Sequence, residues 1–374
     1  MRKINVLYIS NQGGGAPKSL LNMIHSLEKY VNPIVLFEND WYDYQAFVKK
    51  GIRCIIVPYR MNMILNEPGY KTLKYKIHRF ADECLKNKLA AYKVAKILGN
   101  EKIEIVHTNT GAITIGNAIA KVLGAKFVWH LREFQDIDFG GHPYCGWKKF
   151  YRLMDDADAV IGITHAIGRH FHFDKHKNAH VVWDAVRSAQ EVVVEKGKDD
   201  YILYCSATIA PAKGLHDLIE AFGISDLPRM GIKLIVLGNM DEKYKPTIDK
   251  LIYQYKLGTC ISFEGGKSDV KPFFTKAKAF VLPSLNEGLG RVVVEAMMYG
   301  CPVIARKTGG PTEYIIHGEN GYFFSNNVEL SSLLNKTVVE DQLPLIKTAQ
   351  RFAVENFSEE VYGEKILKIY REIL

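Results

Sequence analysis

Short apolar runs alternate with helical patterns along this chain, and the alternation occurs twice over. Residues 4–10, 33–36, 54–57, 103–108, 125–130 and 159–163 predict strands in the first half, with helices over 16–29 and ending at 46–50. Residues 201–206, 232–237, 261–264, 279–282 and 302–305 predict strands in the second half, separated by helices over 215–222, 246–255, 270–276 and 291–299. Apolar strands of this length, each followed by a helix, bury both faces of a parallel sheet. Twin series of them predict an α/β chain of two Rossmann-like, doubly wound domains, and 374 residues suit two domains. The polar stretch 187–200 lacks periodicity and is read as a linker between domains at 1–186 and 201–356. A last helix over 357–374 has Ser358 as its N-cap and an apolar stripe through Val361, Ile366, Ile369, Tyr370 and Leu374.

Composition narrows the class. No run of eighteen apolar residues exists, so no membrane-spanning helix is expected. The opening Met1-Arg2-Lys3 and the apolar residues after it read as a first strand rather than a signal peptide, because Asn5 interrupts a run that is already short. The six cysteines are scattered without a C-x-x-C pair, which suits a reduced cytoplasmic protein with core thiols and argues against disulfides or zinc. The net charge is +8, and eight basic residues against Asp82 and Glu83 put +6 of it between residues 71 and 98. Lys71, Lys74, Lys76, Arg79, Lys86, Lys88, Lys93 and Lys96 share this segment with Leu73, Ile77, Phe80 and Cys84 at helical spacing. A solvated helix face and a surface for anionic lipid both fit; nucleic acid does not, since no nucleic-acid module accompanies the charge.

The densest candidate site is Asn286-Glu287-Gly288-Leu289-Gly290-Arg291-Val292-Val293-Val294-Glu295. A strand precedes it and a helix begins near Gly290, so Glu287 falls at the strand-to-helix turn and Glu295 about two turns along the helix. Open α/β sheets bind ligands at that end of their strands. The glycines let a ligand approach the backbone, and the helix start offers N–H groups to an anion. A second loop, Ser206 to Gly214, ends in Lys213-Gly214, with Lys213 suited to a phosphate. After the first strand, Gly13-Gly14-Gly15 opens a helix and can present bare N–H groups. It is neither a Walker A loop, because Pro17 stands where glycine belongs, nor a dinucleotide fingerprint, because Lys18 takes the last glycine place.

The E-x7-E spacing resembles the motif of the retaining nucleotide-sugar glycosyltransferases of GT-B fold, glycosyltransferase family 4. The resemblance covers nearly the whole chain and is densest from Lys213 to Gly321. It implies two Rossmann-like domains facing across a cleft, with the last helix crossing back to the first domain. It implies donor-binding roles for Glu295, Gly288, Leu289, Gly290, Arg291, Thr208, Gly265, Gly309 and Gly310, and catalytic roles for Glu287, His130 and Lys213. Gly13, Gly14, Gly15 and Arg132 fall to an acceptor or phosphate loop, and Arg132 could instead pair with Glu133. Thr208 stands where the family has an arginine, and Arg291 is the cation that could compensate.

What the resemblance implies is transfer of a sugar from a nucleotide diphosphate donor, a UDP-sugar before a GDP-sugar, to an acceptor hydroxyl with retention. No other cofactor is implied, and no metal: Asp136-Ile137-Asp138 has the letters of a metal motif away from the diphosphate machinery. The work implied is surface polysaccharide or lipid-linked glycan synthesis by a cytoplasmic protein, peripheral at the inner membrane face. The rival readings are a GT-B nucleotide-sugar epimerase or phosphorylase, a scaffold with a decayed donor site, and a dinucleotide-dependent oxidoreductase.

Overall fold

The computed structural model describes residues 2–63, 73–143, 146–193 and 197–374. It forms two compact units, Met1–Ala185 with Glu359–Leu374, and Val186–Ser358. The first unit is built on strands β1 (Ile4–Ile9), β2 (Val31–Phe37), β3 (Arg53–Ile56), β4 (Ile105–Thr108), β5 (Lys126–Leu131), β6 (Ala159–Gly162) and β7 (Ala179–Val181). Its helices are α1 (Ala16–Ser26), α2 (Tyr42–Lys49), α3 (Leu73–Leu98), α4 (Ile115–Leu123), α5 (Asp136–Phe139), α6 (Gly146–Asp155) and α7 (His165–His170). The second unit holds β8 (Tyr201–Ile209), β9 (Lys233–Met240), β10 (Ile261–Gly265), β11 (Ala279–Leu282), β12 (Val303–Arg306) and β13 (Tyr322–Phe324). With them are α8 (Leu215–Ile224), α9 (Lys245–Gln254), α10 (Lys271–Lys276), α11 (Arg291–Met298), α12 (Asn327–Val339) and α13 (Leu343–Phe357), while α14 (Glu359–Ile373) belongs to the first unit.

Both sheets are parallel throughout, ordered β3-β2-β1-β4-β5-β6-β7 and β10-β9-β8-β11-β12-β13. Strand order reverses between β1 and β4 in one and between β8 and β11 in the other, and the carboxyl ends of strands at such a switch point form a crevice. Central strands are buried end to end, as sheets with helices on both faces require. In the first unit Val6, Tyr8, Val35, Val128 and Ile161 meet Leu20, Met23 and Ile24 of α1 and Tyr362, Ile366 and Tyr370 of α14. Gly363 lets α14 lie close on α1, since a Cβ there would come 2.9 Å from Ser26 O.

Residues 187–193 and 197–200 belong to the second unit rather than to a linker. Val193 N–H donates to Met298 O at 3.3 Å, Gln350 Nε2 donates to Val193 O at 2.6 Å, and Asp199 N–H donates to Lys276 O at 2.7 Å, so the chain is held to the second unit at Val193 and Asp199. Polar residues without periodicity here mark chain held through its backbone. The sequence also gave no sign of β7 and β13, three residues each and too short to show a period. Core thiols were expected: Cys301 is buried, Cys54 and Cys260 pack against the two cores and Cys205 is partly buried, whereas Cys84 on α3 departs from the expectation and is exposed. Cys145 lies outside the described residues.

Candidate functional site

In the second unit the loops after β8, β11 and β12 converge. β8 runs into the turn Pro211–Lys213 and then Gly214, which opens α8. Gly214 has φ +68°, and a Cβ there would lie 2.1 Å from Pro283 O, so glycine alone lets this loop rest on the one after β11. Leu285 N–H donates to Ala212 O at 2.9 Å and ties the two together. The result is that Lys213 Nζ donates to Glu287 Oε1 at 2.8 Å, with the lysine 36% and the glutamate 19% exposed. Gly309 and Gly310 brace Glu287 from the next loop. Gly310 N–H donates to Glu287 O at 2.9 Å, and a Cβ at 309 or 310 would strike Glu287 O or Gly288 O at 2.2 or 2.0 Å.

Glu295 faces its own cation. Arg187 Nη2 donates to Glu295 Oε1 at 3.1 Å, and Arg187 Nε is buried without a partner. Gly288 is partly exposed, whereas Leu289 and Gly290 are buried, and Leu289 O accepts from the Tyr314 hydroxyl at 2.7 Å. Arg291 opens α11 and is partly exposed, and Thr208 is exposed near the end of β8. Gly265 stands apart: it ends β10 at the edge of the sheet, three strand places from β11, about 14 Å at the usual strand spacing.

The first unit gathers a different set. Gly13 and Gly14 take φ +81° and +79°, and Gly15 caps α1. The expectation that this loop offers bare N–H groups needs correction at Gly13, whose N–H donates to the buried Asp43 Oδ2 at 2.6 Å. A carboxylate there also repels a phosphate. Arg132 is corrected likewise. Its guanidinium is buried, forms a two-pronged ion pair with Asp184, and donates through Nε to Asn109 O at 3.1 Å, so it neither pairs with Glu133 nor reaches outward. Glu133 instead accepts from Thr110 Oγ1 at 2.9 Å, and burial lifts its carboxyl to about 7. Asp136 pairs with His170 at 2.8 Å and Asp138 accepts from Phe134 N–H at 2.8 Å, so both are committed locally.

His130 has no exposed surface. Its Nδ1 lies 3.3 Å from Arg132 Nη2 and 3.2 Å from His107 Nε2, and His107 Nδ1 lies 2.6 Å from the Tyr370 hydroxyl. Arginine can only donate, so His130 Nδ1 accepts and its proton sits on Nε2; His107 Nε2 then donates, and His107 Nδ1 accepts from Tyr370. Burial first, and the Arg132 charge second, hold both imidazoles well below their ordinary range. His130 Nε2 is 4.0 Å from Asp184 Oδ1 and has no hydrogen-bond partner.

On α3, Lys86, Lys88, Lys93 and Lys96 are exposed beside Ile77, Leu85, Leu89 and Tyr92, which are also exposed. Lys71 lies outside the described residues, as do the side chains of Lys74, Lys76 and Arg79. Among the described residues no helix is long and apolar enough to cross a membrane, and no cluster of His, Cys, Asp or Glu could hold a metal ion.

Residues 186–356 match the family model for glycosyl transferases group 1. The second unit is thus similar to the group 1 glycosyltransferases. The chain is similar to the uncharacterized glycosyltransferase MJ1178 of Methanocaldococcus jannaschii, 27% identical over 292 residues, 76% of this chain and 80% of that one. It is also similar to LpsE of Rhizobium meliloti, a lipopolysaccharide core biosynthesis glycosyltransferase, 30% identical over 146 residues, 38% of this chain but only 41% of that protein. Anabaena Alr3699/HepE in complex with UDP superposes with a TM-score of 0.81 over 99% of this chain and 100% of that one, at 19% identity, which establishes a shared GT-B fold.

Two partnerships in this chain were not foreseen. Arg187 meets Glu295 across 108 positions of chain, and Asp184 and Tyr362 flank Arg132 from far away in sequence. No local pattern signals such pairs; only the order of the strands brings them together.

Proposed function

We propose that this protein is a retaining, metal-independent glycosyltransferase that moves a sugar from a nucleotide diphosphate donor to an acceptor hydroxyl. The observation that carries this reading is the Lys213–Glu287 pair at the start of α11. A diphosphate entering there competes for the Lys213 ammonium, and the lysine and the backbone N–H groups at the helix start stabilise charge as the leaving group departs. Glu287, released, accepts from donor-sugar hydroxyls. Glu295 keeps a second carboxylate oxygen for ribose hydroxyls while Arg187 holds the first. Arg291 supplies the cation that Thr208 does not. A UDP-sugar is the first choice of donor, supported by the UDP-bound Anabaena structure, and a GDP-sugar the second.

LpsE, named for lipopolysaccharide core synthesis, supports work on a surface polysaccharide or lipid-linked glycan. The exposed lysines and apolar residues of α3 suit peripheral attachment to an anionic membrane, at its cytoplasmic face.

The test is calorimetry with UDP, GDP and ADP on the wild type and on Glu295→Ala. One nucleotide should bind, and the substitution should weaken it at least tenfold, as loss of a charge-assisted hydrogen bond does. Binding of none would sink the donor site. Turnover followed by NMR in excess chelator extends the test: inverted product overturns retention, and loss of turnover overturns metal independence.

A further inference from the structure

A buried polar atom without a partner carries a penalty that a ligand or a water normally removes. Among the described residues of the second unit, the side-chain atom left in this state is Arg187 Nε. The guanidinium it belongs to is displayed from a fixed point. Arg187 bridges to Ser358, and next to it Val186 N–H donates to Phe357 O at 3.0 Å, so the backbone is pegged to the end of α13. The side chain is 36% exposed, and its tip meets Glu295 through Nη2 at 3.1 Å. Nε–H and Nη2–H point the same way from one edge of the planar fork, and arginine–carboxylate pairs commonly set such an edge against both carboxylate oxygens. Here Glu295 Oε1 takes Nη2 alone, and Nε–H is left beside it without an acceptor in the protein. A counter-ion for Glu295 does not by itself account for that half-used edge.

The surroundings select what completes it. Glu295 and Glu191 both act on the Arg187 charge, and two carboxylates repel a further anion from this edge. An ammonium brings no acceptor for Nε–H, and a carbonyl brings no proton for Glu295. A hydroxyl brings both. Its oxygen accepts from Nε–H and its proton goes to the neighbouring carboxylate, two charge-assisted hydrogen bonds made by one group. Glu295 also stands one turn along α11 from Arg291, on from the helix start that takes the diphosphate in the reading above. In a nucleotide the group next to the diphosphate is a ribose, which carries hydroxyls.

We propose that Arg187 is a nucleotide-binding residue, whose Nε–H donates to a ribose hydroxyl that in turn donates to Glu295. The assignment rests on the transferase reading above, with Glu295 at the ribose. It makes Arg187 a determinant of ribose over deoxyribose, since a nucleotide without that hydroxyl leaves a buried N–H and a carboxylate unmet. No sequence motif marked it, because Arg187 opens a stretch without periodicity and reaches its partner only through the fold.

The experiment is calorimetry on the full chain with UDP, GDP and ADP, each beside its 2′-deoxy and 3′-deoxy counterparts, for the wild type and Arg187→Lys. Lysine keeps a charge next to Glu295 but cannot present two parallel N–H groups; Arg187→Gln stands in should the lysine variant not fold. The nucleotide that binds the wild type should lose about tenfold or more when one of its two ribose hydroxyls is removed. Arg187→Lys should weaken the full ribonucleotide by about tenfold or more, and that deoxy counterpart by no more than about threefold. The Nε–H signal of Arg187 in ¹⁵N-labelled chain, assigned by its loss in the variant, should shift with the ribonucleotide and stay in place with the counterpart. Equal weakening of ribo- and deoxyribonucleotides would make Arg187 a support for Glu295 alone and overturn the proposal, as would unchanged affinity in Arg187→Lys. Either of those results leaves the transferase reading standing. Failure of the wild type to bind any nucleotide sinks that reading, and the proposal with it.

Discussion

Glu133 is a carboxyl whose surroundings disagree with its charge. Burial raises it from an ordinary 4.5 to about 7, and the Thr110 hydroxyl and the Arg132 charge offset only part of that. The folded chain therefore holds this proton more tightly than the unfolded chain. Its contribution to stability is complete below about pH 4.5 and is lost as the pH rises through about 7. Glu133→Gln removes the titration. Urea unfolding at pH 5 and pH 8 should show the variant gaining on the wild type by about 1–3 kcal/mol between the two; an equal difference at both would mean that Glu133 ionises normally. At this scale the sequence located the loops at the strand ends, and showed much less of what their side chains touch. The placement of Lys213 and Glu287 after β8 and β11 was legible because each stands in a short motif at a strand end. The commitments of Arg132 and Gly13 were not, since Asp184 and Asp43 reach them through the fold rather than along the chain.

At the scale of the element, α3 shows both faces of one reading. Ala90, Ala91, Val94 and Leu98 are buried, whereas Ile77, Phe80 and Cys84 of the stripe expected from the sequence are exposed. The other side keeps Leu85, Leu89 and Tyr92 in solvent among Lys86, Lys88, Lys93 and Lys96, an arrangement that pairs insertion of apolar side chains with attraction to lipid phosphate. Each lysine near an anionic surface is worth about 1 kcal/mol, and salt screens it. Reversing all four to glutamate should cost at least a hundredfold in binding to phosphatidylserine vesicles at low salt, read by co-sedimentation, and leave UDP affinity unchanged. Undiminished sedimentation would assign the lysines to solvation alone. The strands were legible for the same reason as this helix: runs of four or more residues carry a period. β7 and β13 carry none, and the segment 187–200 looked like a linker because backbone hydrogen bonding leaves no mark on side-chain pattern.

For the molecule as a whole, the decisive fact is that the chain leaves the first unit at Ala185 and returns to it at Glu359. Val186 N–H donates to Phe357 O at 3.0 Å, so the second unit is closed at its own root, while the first is incomplete until the last helix is made. That helix buries Tyr362, Ile366, Leu367, Ile369 and Tyr370. Five such side chains are worth roughly 10 kcal/mol of burial, against the 5–15 kcal/mol by which a whole domain is ordinarily stable. Two of them also complete polar chemistry, Tyr370 as the donor to His107 and Tyr362 beside the Arg132–Asp184 pair. Without them a buried cation and two neutral imidazoles face an open cavity, and breaking a buried network costs more than it contributes when whole. A chain ending at Ser358 should therefore lose the first unit and keep the second. Hydrogen exchange should show the amides of β1, β4 and β5 unprotected and those of β8, β11 and β12 as slow as in the full chain, with nucleotide binding retained. Full protection of β1, β4 and β5 in the shortened chain would show that the first unit folds without its last helix, and α14 would then be a cover rather than a part of the core.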